Sequence, residues 1–173
     1  MLKVKGYSIW CIPDEGSELY ITLQRHVADL SLRFDAPIFD PHVTLIGWLK
    51  GDTDEIVEKT MHLARQTKPF EIRLNGIGLT NDPLKCLYIG VQPSSELQDA
   101  NALARKIFGK KDRIPYAPHL SLLYGDFPRK DREEAARDIR DVDASFAVSQ
   151  FHLYDTNDEP LQWHRTARIP LTV

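Results

Sequence analysis

The chain carries one short pattern twice, and that repetition narrows the folds open to it. Pro41-His42-Val43-Thr44-Leu45 and Pro118-His119-Leu120-Ser121-Leu122 each run proline, histidine, apolar, hydroxyl, apolar, with the histidines 77 positions apart. Side chains on a strand alternate between faces. His42 and Thr44 therefore share a face, as do His119 and Ser121, while Val43, Leu45, Leu120 and Leu122 take the opposite one. Each strand offers an imidazole beside a hydroxyl on one surface and an apolar row on the other. A fold that holds this pattern twice must bury both apolar rows and has two polar rows to dispose of.

The surrounding sequence repeats as well. Tyr7–Ile12 reads as a strand, and residues 17–34 place Leu19, Leu23, Val27, Leu30 and Phe34 at helical spacing, with Asp29 and Arg33 as an i,i+4 pair. The first histidine strand covers 42–49. Asp52 and Glu55 mark a helix start, and that helix runs toward Lys68, where Pro69 stops it. Phe70, Ile72 and Leu74 then alternate with polar residues, and the parity slips at Gly76 before Ile77 and Leu79, which predicts a β-bulge. A turn at Asn81-Asp82-Pro83 leads into a strand from 84 to 91.

The second half follows the same plan. Residues 94–108 form a helix ended by Gly109, with Leu97, Ala100, Ala104 and Ile107 inward. The second histidine strand covers 119–124, and a polar helix covers 129–140. Phe146 and Val148 give way to Phe151 and Leu153 with the same slip of parity, 74 positions after the first. The turn at 157–161 echoes 81–84, and a last strand covers about 166–171. We expect a single α+β domain over residues 1–173, bilobal and internally duplicated. A pseudo-two-fold axis between the two lobes would bring the histidine strands together.

Composition limits the partners. A net charge of −3 argues against a broad nucleic-acid surface and leaves room for a small phosphate ligand, which needs only a local basic patch. The one basic cluster, Gly109-Lys110-Lys111-Asp112-Arg113, lies just ahead of the second motif and is a candidate substrate contact. The longest apolar runs are strand-length, so no membrane span is expected. Lys3 and Lys5 precede an apolar stretch too short for a signal-peptide core, and we expect a cytoplasmic protein. Cys11 and Cys86 sit in apolar runs and read as reduced core thiols.

Two imidazoles and two hydroxyls suit some chemistries better than others. Metal binding would want a third histidine, a thiol or carboxylates, and neither motif supplies them. A serine nucleophile at Ser121 lacks an acidic residue placed to orient its histidine. General acid–base catalysis fits, since imidazole titrates near neutrality and one ring can be base while the other is acid. The hydroxyls can hold phosphate oxygens, and displacement at phosphorus wants a proton-transfer group at each end of an in-line path. A mutual structural network of His with Ser or Thr is the bland alternative. Burying four matched polar groups costs free energy that packing alone does not explain.

The paired motif resembles that of the two-histidine (2H) phosphoesterase superfamily, in which each copy reads His, apolar, Thr or Ser. Tyr7-Ser8-Ile9-Trp10-Cys11-Ile12-Pro13-Asp14-Glu15, the string from Pro118 to Tyr124, and the ending from Trp163 to Ile169 are similar to the cyclic phosphodiesterases of plants and fungi. The resemblance implies a bilobal α+β fold of two antiparallel sheets with helices outside and a central cleft, and hydrolysis of cyclic phosphates without metal or organic cofactor. The substrates it implies are ADP-ribose 1'',2''-cyclic phosphate and nucleoside 2',3'-cyclic phosphates, opened to 2'-phosphates. Carried over by position, His42 and His119 are the catalytic pair, with His119 expected as base and His42 as acid. Thr44 and Ser121 bind phosphate oxygens. Tyr124 is a further substrate contact, provided a bulge or strand end turns it toward His119. Trp10 is expected in the core, and His26, His62, His152 and His164 as structural or surface residues. The plant enzymes carry additional cysteines that this chain lacks, so no disulfide or redox control is carried over. Two rival readings stand beside this one. One is an enzyme acting on 2',3'-cyclic ends or 2'–5' linkages of RNA, which would want a basic rim. The other is a non-catalytic module that binds nucleotides.

Overall fold

In the computed structural model, which describes residues 5–111, 114–140 and 142–172, the apolar alternation becomes eight strands and four α-helices. The order is β1 (Tyr7–Cys11), α1 (Glu18–Phe34), β2 (Val43–Leu49), α2 (Thr53–Ala64), β3 (Phe70–Leu79), β4 (Leu87–Val91), α3 (Ser95–Ile107), β5 (His119–Leu123), α4 (Arg129–Asp138), β6 (Ala144–Val148), β7 (Gln150–Asp155) and β8 (His164–Pro170). Helix starts follow their caps. The Ser17 side chain accepts from the Tyr20 N–H, Asp52 from Asp54 and Ser94 from Leu97. Arg33 does not pair with Asp29 as its spacing suggests; it reaches Glu134 at 2.9 Å and Asp138 at 3.2 Å on α4, so two carboxylates of another helix hold it.

All eight strands pair antiparallel in the order β6-β3-β4-β5-β2-β1-β7-β8. The two histidine strands are the central neighbours, and they touch through one registered pair, Val43 with Leu120. On either side of that seam lies a four-stranded half, so the expected two sheets are joined edge to edge. The helices interlock the halves. Helix α1, which follows β1, packs on β5, and α3, which follows β4, packs on β2. Asn101 of α3 donates to the Leu45 carbonyl at 2.7 Å, where a register shift in the β1–β2 ladder leaves that oxygen unpaired. Tyr7, Ile9 and Cys11 join the main core, while Trp10, Ile12, Tyr20 and Tyr154 form a second cluster on the other face. Both cysteines are buried and free.

The first parity slip is a bulge. The β3–β4 register shifts between Asn75 and Ile77, and Gly76 sits at φ 65°. The second slip, at Ser149, is a different object. Strand β6 pairs with β3, whereas β7 pairs with β1 on the far half. One chain segment thus crosses between halves, because the edge of β1 needs a partner that the first half of the sequence does not supply. The strand-and-turn repeat in the sequence therefore does not divide the molecule into its spatial halves.

Candidate active site

Both motifs position their imidazoles by the same local device. His42 immediately precedes β2 and His119 opens β5. The Nδ1 of each ring lies against the backbone carbonyl two residues back, His42 on Asp40 O at 2.6 Å and His119 on Ala117 O at 3.0 Å. A carbonyl only accepts, so in each ring Nδ1–H donates. When the ring is neutral, Nε2 carries the free lone pair. Both histidines line one cavity of about 210 Å³, together with Thr44, Ser121 and Tyr124. All five site residues expected from the sequence thus meet in one place.

The surroundings of the two rings differ. His42 is 5 % exposed and stacks on Trp10, ring centroids 3.5 Å apart and planes 10° from parallel. Trp10 in turn stacks on Tyr154. Beneath this pile, the Asp40 carboxylate accepts from the hydroxyls of Tyr20 and Tyr154. Burial pushes the His42 pKa down to about 4 against the weaker raising effect of its Asp40 hydrogen bond and of the Asp40 charge. His119 is also held below the usual imidazole range, first by burial and then by the neighbouring Lys85 ammonium, while the Ala117 carbonyl and Asp82 act the other way. Tyr88 meets His119 edge-on at 5.6 Å. Gly78, registered opposite Tyr88, makes that wall possible, since a Cβ there would fall 2.2 Å from the Tyr88 ring.

The hydroxyls also differ. Thr44 Oγ1 has no hydrogen-bond partner among the described residues. Ser121 donates to the Leu84 carbonyl at 2.9 Å. Tyr124 reaches the cavity because β5 ends at Leu123 and the β4–β5 register skips Leu122 on the way. It stacks on Phe39 at 3.9 Å, and burial raises its pKa, so the phenol stays protonated.

Several lining residues escaped the sequence reading. Asp82, Leu84 and Lys85 come from the β3–β4 turn, Trp48 from the end of β2, Ser8 from β1 and Trp163 from the C-terminal segment. Lys85 Nζ lies 4.4 Å above the Tyr88 ring and has no carboxylate within salt-bridge distance among the described residues. The turn at Asn81-Asp82-Pro83 was read from the sequence, but with Leu84 onward as strand, so Lys85 was not expected at the cavity. Trp10 is buried as expected, but against the catalytic-motif histidine rather than in the main core. In the basic segment 109–113, Lys110 donates to the Trp48 carbonyl at 3.1 Å; Asp112 and Arg113 lie outside the described residues. His62 and His164 are exposed, His26 is half-buried with its Nε2 against the Arg140 carbonyl, and His152 is buried beside Arg165. Among the described residues no group of three or more His, Cys, Asp or Glu side chains is arranged to hold a metal ion. No helix among them is long and apolar enough to cross a membrane.

The chain is similar to known proteins over most of its length. A cyclic phosphodiesterase of Arabidopsis thaliana is 25 % identical over 175 residues, covering 97 % of this chain and 96 % of the relative. A 2',3'-cyclic-nucleotide 3'-phosphodiesterase of Kluyveromyces lactis is 24 % identical over 144 residues, covering 73 % and 68 %. Among solved structures, Escherichia coli LigT complexed with 3'-AMP superposes with a TM-score of 0.69 at 17 % identity, covering 98 % of this chain and 99 % of that one. Thermus thermophilus TT0787 gives 0.65 at 18 % identity, covering 95 % and 97 %. These two carry the bilobal α+β fold over nearly the whole length. The family model of the 2'-5' RNA ligase superfamily matches residues 18–160, a span that contains both histidine motifs, and the chain belongs to that superfamily of two-histidine phosphoesterases.

Proposed function

We propose that this protein hydrolyses small cyclic phosphodiesters, nucleoside 2',3'-cyclic phosphates or ADP-ribose 1'',2''-cyclic phosphate, by metal-independent acid–base catalysis at His42 and His119. One observation carries the reading. Two rings, each with Nδ1 committed to a backbone carbonyl, share one cavity and keep a free Nε2. The names of the plant and yeast relatives support the same class of reaction.

The step balances without a cofactor. One neutral ring takes a proton from water as its oxygen attacks phosphorus. The other, protonated, ring gives its proton to the departing ribose oxygen. For a 2',3'-cyclic phosphate the P–O3' bond breaks, leaving a 2'-phosphate and a free 3'-hydroxyl, and solvent exchange resets the rings. Thr44 Oγ1 is free to donate to a non-bridging oxygen. Ser121 exchanges the Leu84 carbonyl for the phosphate, and the protonated Tyr124 phenol is a third donor. Burial bears hard on His42, which taken alone would make His42 the base and His119 the acid, the reverse of the order expected from sequence. An anion between the rings raises both, so the orientation of the scissile bond sets the assignment. A 2',3'-cyclic nucleotide with sulfur in place of O3' separates the two, because a thiolate leaves without protonation. The variant lacking the acid loses far less rate on that substrate than the variant lacking the base.

The testing experiment is turnover of 2',3'-cyclic AMP in excess EDTA, with products resolved by chromatography and the His42→Ala protein as control. Accumulation of 2'-AMP that vanishes in the variant is the expected result. Affinity for nucleotides with no turnover of this substrate, of ADP-ribose 1'',2''-cyclic phosphate or of RNA with a 2',3'-cyclic end would point instead to a binding module.

A further inference from the structure

We propose that the indole of Trp48 is the stacking platform for the nucleobase of the substrate, and so selects nucleoside 2',3'-cyclic phosphates over cyclic phosphates without an adjacent base. This rests on the function proposed above and adds a residue and a substrate class to it.

Three independent observations place Trp48 in that role. It is 56 % exposed, and of the exposed large apolar residues among the described ones it alone lines the cavity shared by His42 and His119. Ile38 and Leu161, also exposed, line other hollows, and Ile21, Leu32, Met61 and Ile114 line neither. An exposed indole at the mouth of a polar site is a ready surface for a flat aromatic ligand.

The backbone supplies the second observation. Trp48 has φ 53°, a left-handed conformation at the penultimate position of β2. Among the described residues the other non-glycine with positive φ is Asp35, the C-cap of α1, where this conformation is ordinary for a short polar side chain. A bulky aromatic residue is disfavoured there, and glycine would be at ease. The register explains the geometry. Ile9 pairs with Ile46 and Tyr7 with Leu49, so two residues of β2, Gly47 and Trp48, span the stretch where β1 has only Ser8. The extra residue breaks the alternation and turns the indole outward while Leu49 returns to the core. Strain of this kind persists where surrounding structure fixes it, and it gathers at ligand sites.

The third observation is the fixing itself. Lys110 Nζ donates to the Trp48 carbonyl at 3.1 Å, tying the bulge to the segment after α3. Lys110, from the basic segment ahead of the second motif, therefore acts on the cavity rim through Trp48. In a nucleoside 2',3'-cyclic phosphate the base is one ribose away from the reacting phosphorus. In ADP-ribose 1'',2''-cyclic phosphate a pyrophosphate and a second ribose intervene. A platform on the rim of the same small cavity suits the first.

The test compares wild type, Trp48→Gly and Trp48→Phe on 2',3'-cyclic AMP and on glycerol 1,2-cyclic phosphate, which has no base. Glycine suits the left-handed φ, so Trp48→Gly is expected to keep or raise the thermal midpoint, and loss of function is then not loss of fold. The ratio of kcat/KM for 2',3'-cyclic AMP over the base-free substrate should fall roughly 5- to 100-fold in Trp48→Gly, mainly through KM. Trp48→Phe should keep most of the ratio. An unchanged ratio in a folded Trp48→Gly protein overturns the proposal while leaving the cyclic phosphodiesterase reading intact. If the wild type turns over neither substrate, that reading fails by itself. The stacking role is then read from the affinity of 2'-AMP relative to ribose 2-phosphate: a ratio that drops in Trp48→Gly supports it, and an equal one overturns it.

Discussion

At the scale of single residues, the two imidazoles are alike in their anchoring and unlike in their setting, and that contrast makes the site testable. His42→Ala and His119→Ala should each lower kcat by about 10²–10⁴ with an unchanged circular-dichroism spectrum, since each removes a proton-transfer group and leaves the strand ladder in place, while His42→Ala also gives up the stack on Trp10 and should lower the thermal midpoint. The hydroxyls should separate. Thr44→Ala removes a donor that has no structural partner and should weaken turnover without moving the thermal midpoint. Ser121→Ala also leaves the Leu84 carbonyl without its donor, and should lower activity and stability together, the latter by roughly 1–3 kcal/mol. Lys85 and Asp82 act on His119 with opposite signs. Lys85→Met removes a cation that disfavours imidazolium, so the His119 limb of the pH–rate profile should move to higher pH. Asp82→Asn should move it lower. Shifts in the same direction for both variants would contradict the electrostatic account. The four polar residues of the motifs were legible because both chemistry and spacing repeat, and Tyr124 through the resemblance carried by the string from Pro118 to Tyr124. Lys85 and Trp48 were not, because each depends on a turn or a bulge that brings it to the cavity from outside the repeat.

At the scale of elements, the β3–β4 turn deserves a support of its own, and α4 provides it. Arg132 on α4 is 5 % exposed and has no carboxylate partner among the described residues; its guanidinium donates to the Thr80 and Cys86 carbonyls and to Asn81 Oδ1, the last at 3.1 Å. It thus clamps both ends of the loop that presents Asp82, Leu84 and Lys85. Replacing it with methionine keeps the aliphatic bulk and strips the clamp. We expect a loss of about 2–4 kcal/mol from the orphaned carbonyls, and a rise in KM for cyclic nucleotides as Lys85 loses its place. Full stability in Arg132→Met would show that the loop holds itself. Sequence could place α4 as a polar helix, yet nothing in its pattern marks Arg132 as buried, since periodicity reads apolar stripes and an arginine under a loop looks like any solvated one. The crossing at Ser149 was hidden for a similar reason. A parity slip reads the same whether the strand bulges or leaves for another partner, and only the pairing of β6 with β3 and β7 with β1 tells them apart.

At the scale of the whole molecule, catalysis and stability draw on the same buried rings, and acid should expose the conflict. The repeat in the sequence was enough to expect two packed halves that bring the histidine strands together, and the family resemblance supplied the antiparallel sheets; neither could show that a single pair, Val43 with Leu120, joins the halves, or that α1 and α3 cross to the opposite half. Burial under Trp10 and Phe39 lowers the pKa of His42, and burial also lowers that of His152, with Arg165 and Arg168 adding to it. Each of these histidines has a folded pKa below its unfolded value. Between pH 6.5 and about 4 the unfolded chain therefore binds more protons than the folded one, and stability rises with pH across that window. The contribution is fully present above pH 6.5 and is lost as pH falls toward 4. For His42 alone the shift corresponds to ~3 kcal/mol. The thermal midpoint should drop clearly from pH 7.5 to pH 5, and His42→Gln, which cannot charge, should flatten part of that slope. Inorganic phosphate should reverse it, because an anion between the rings pairs with imidazolium and raises both pKa values, so its stabilising effect should be larger at pH 5 than at pH 7.5. A midpoint independent of pH in this range, with phosphate equally stabilising at both ends, would mean that the cavity does not hold its rings neutral and would remove the physical basis for pairing one acid with one base there.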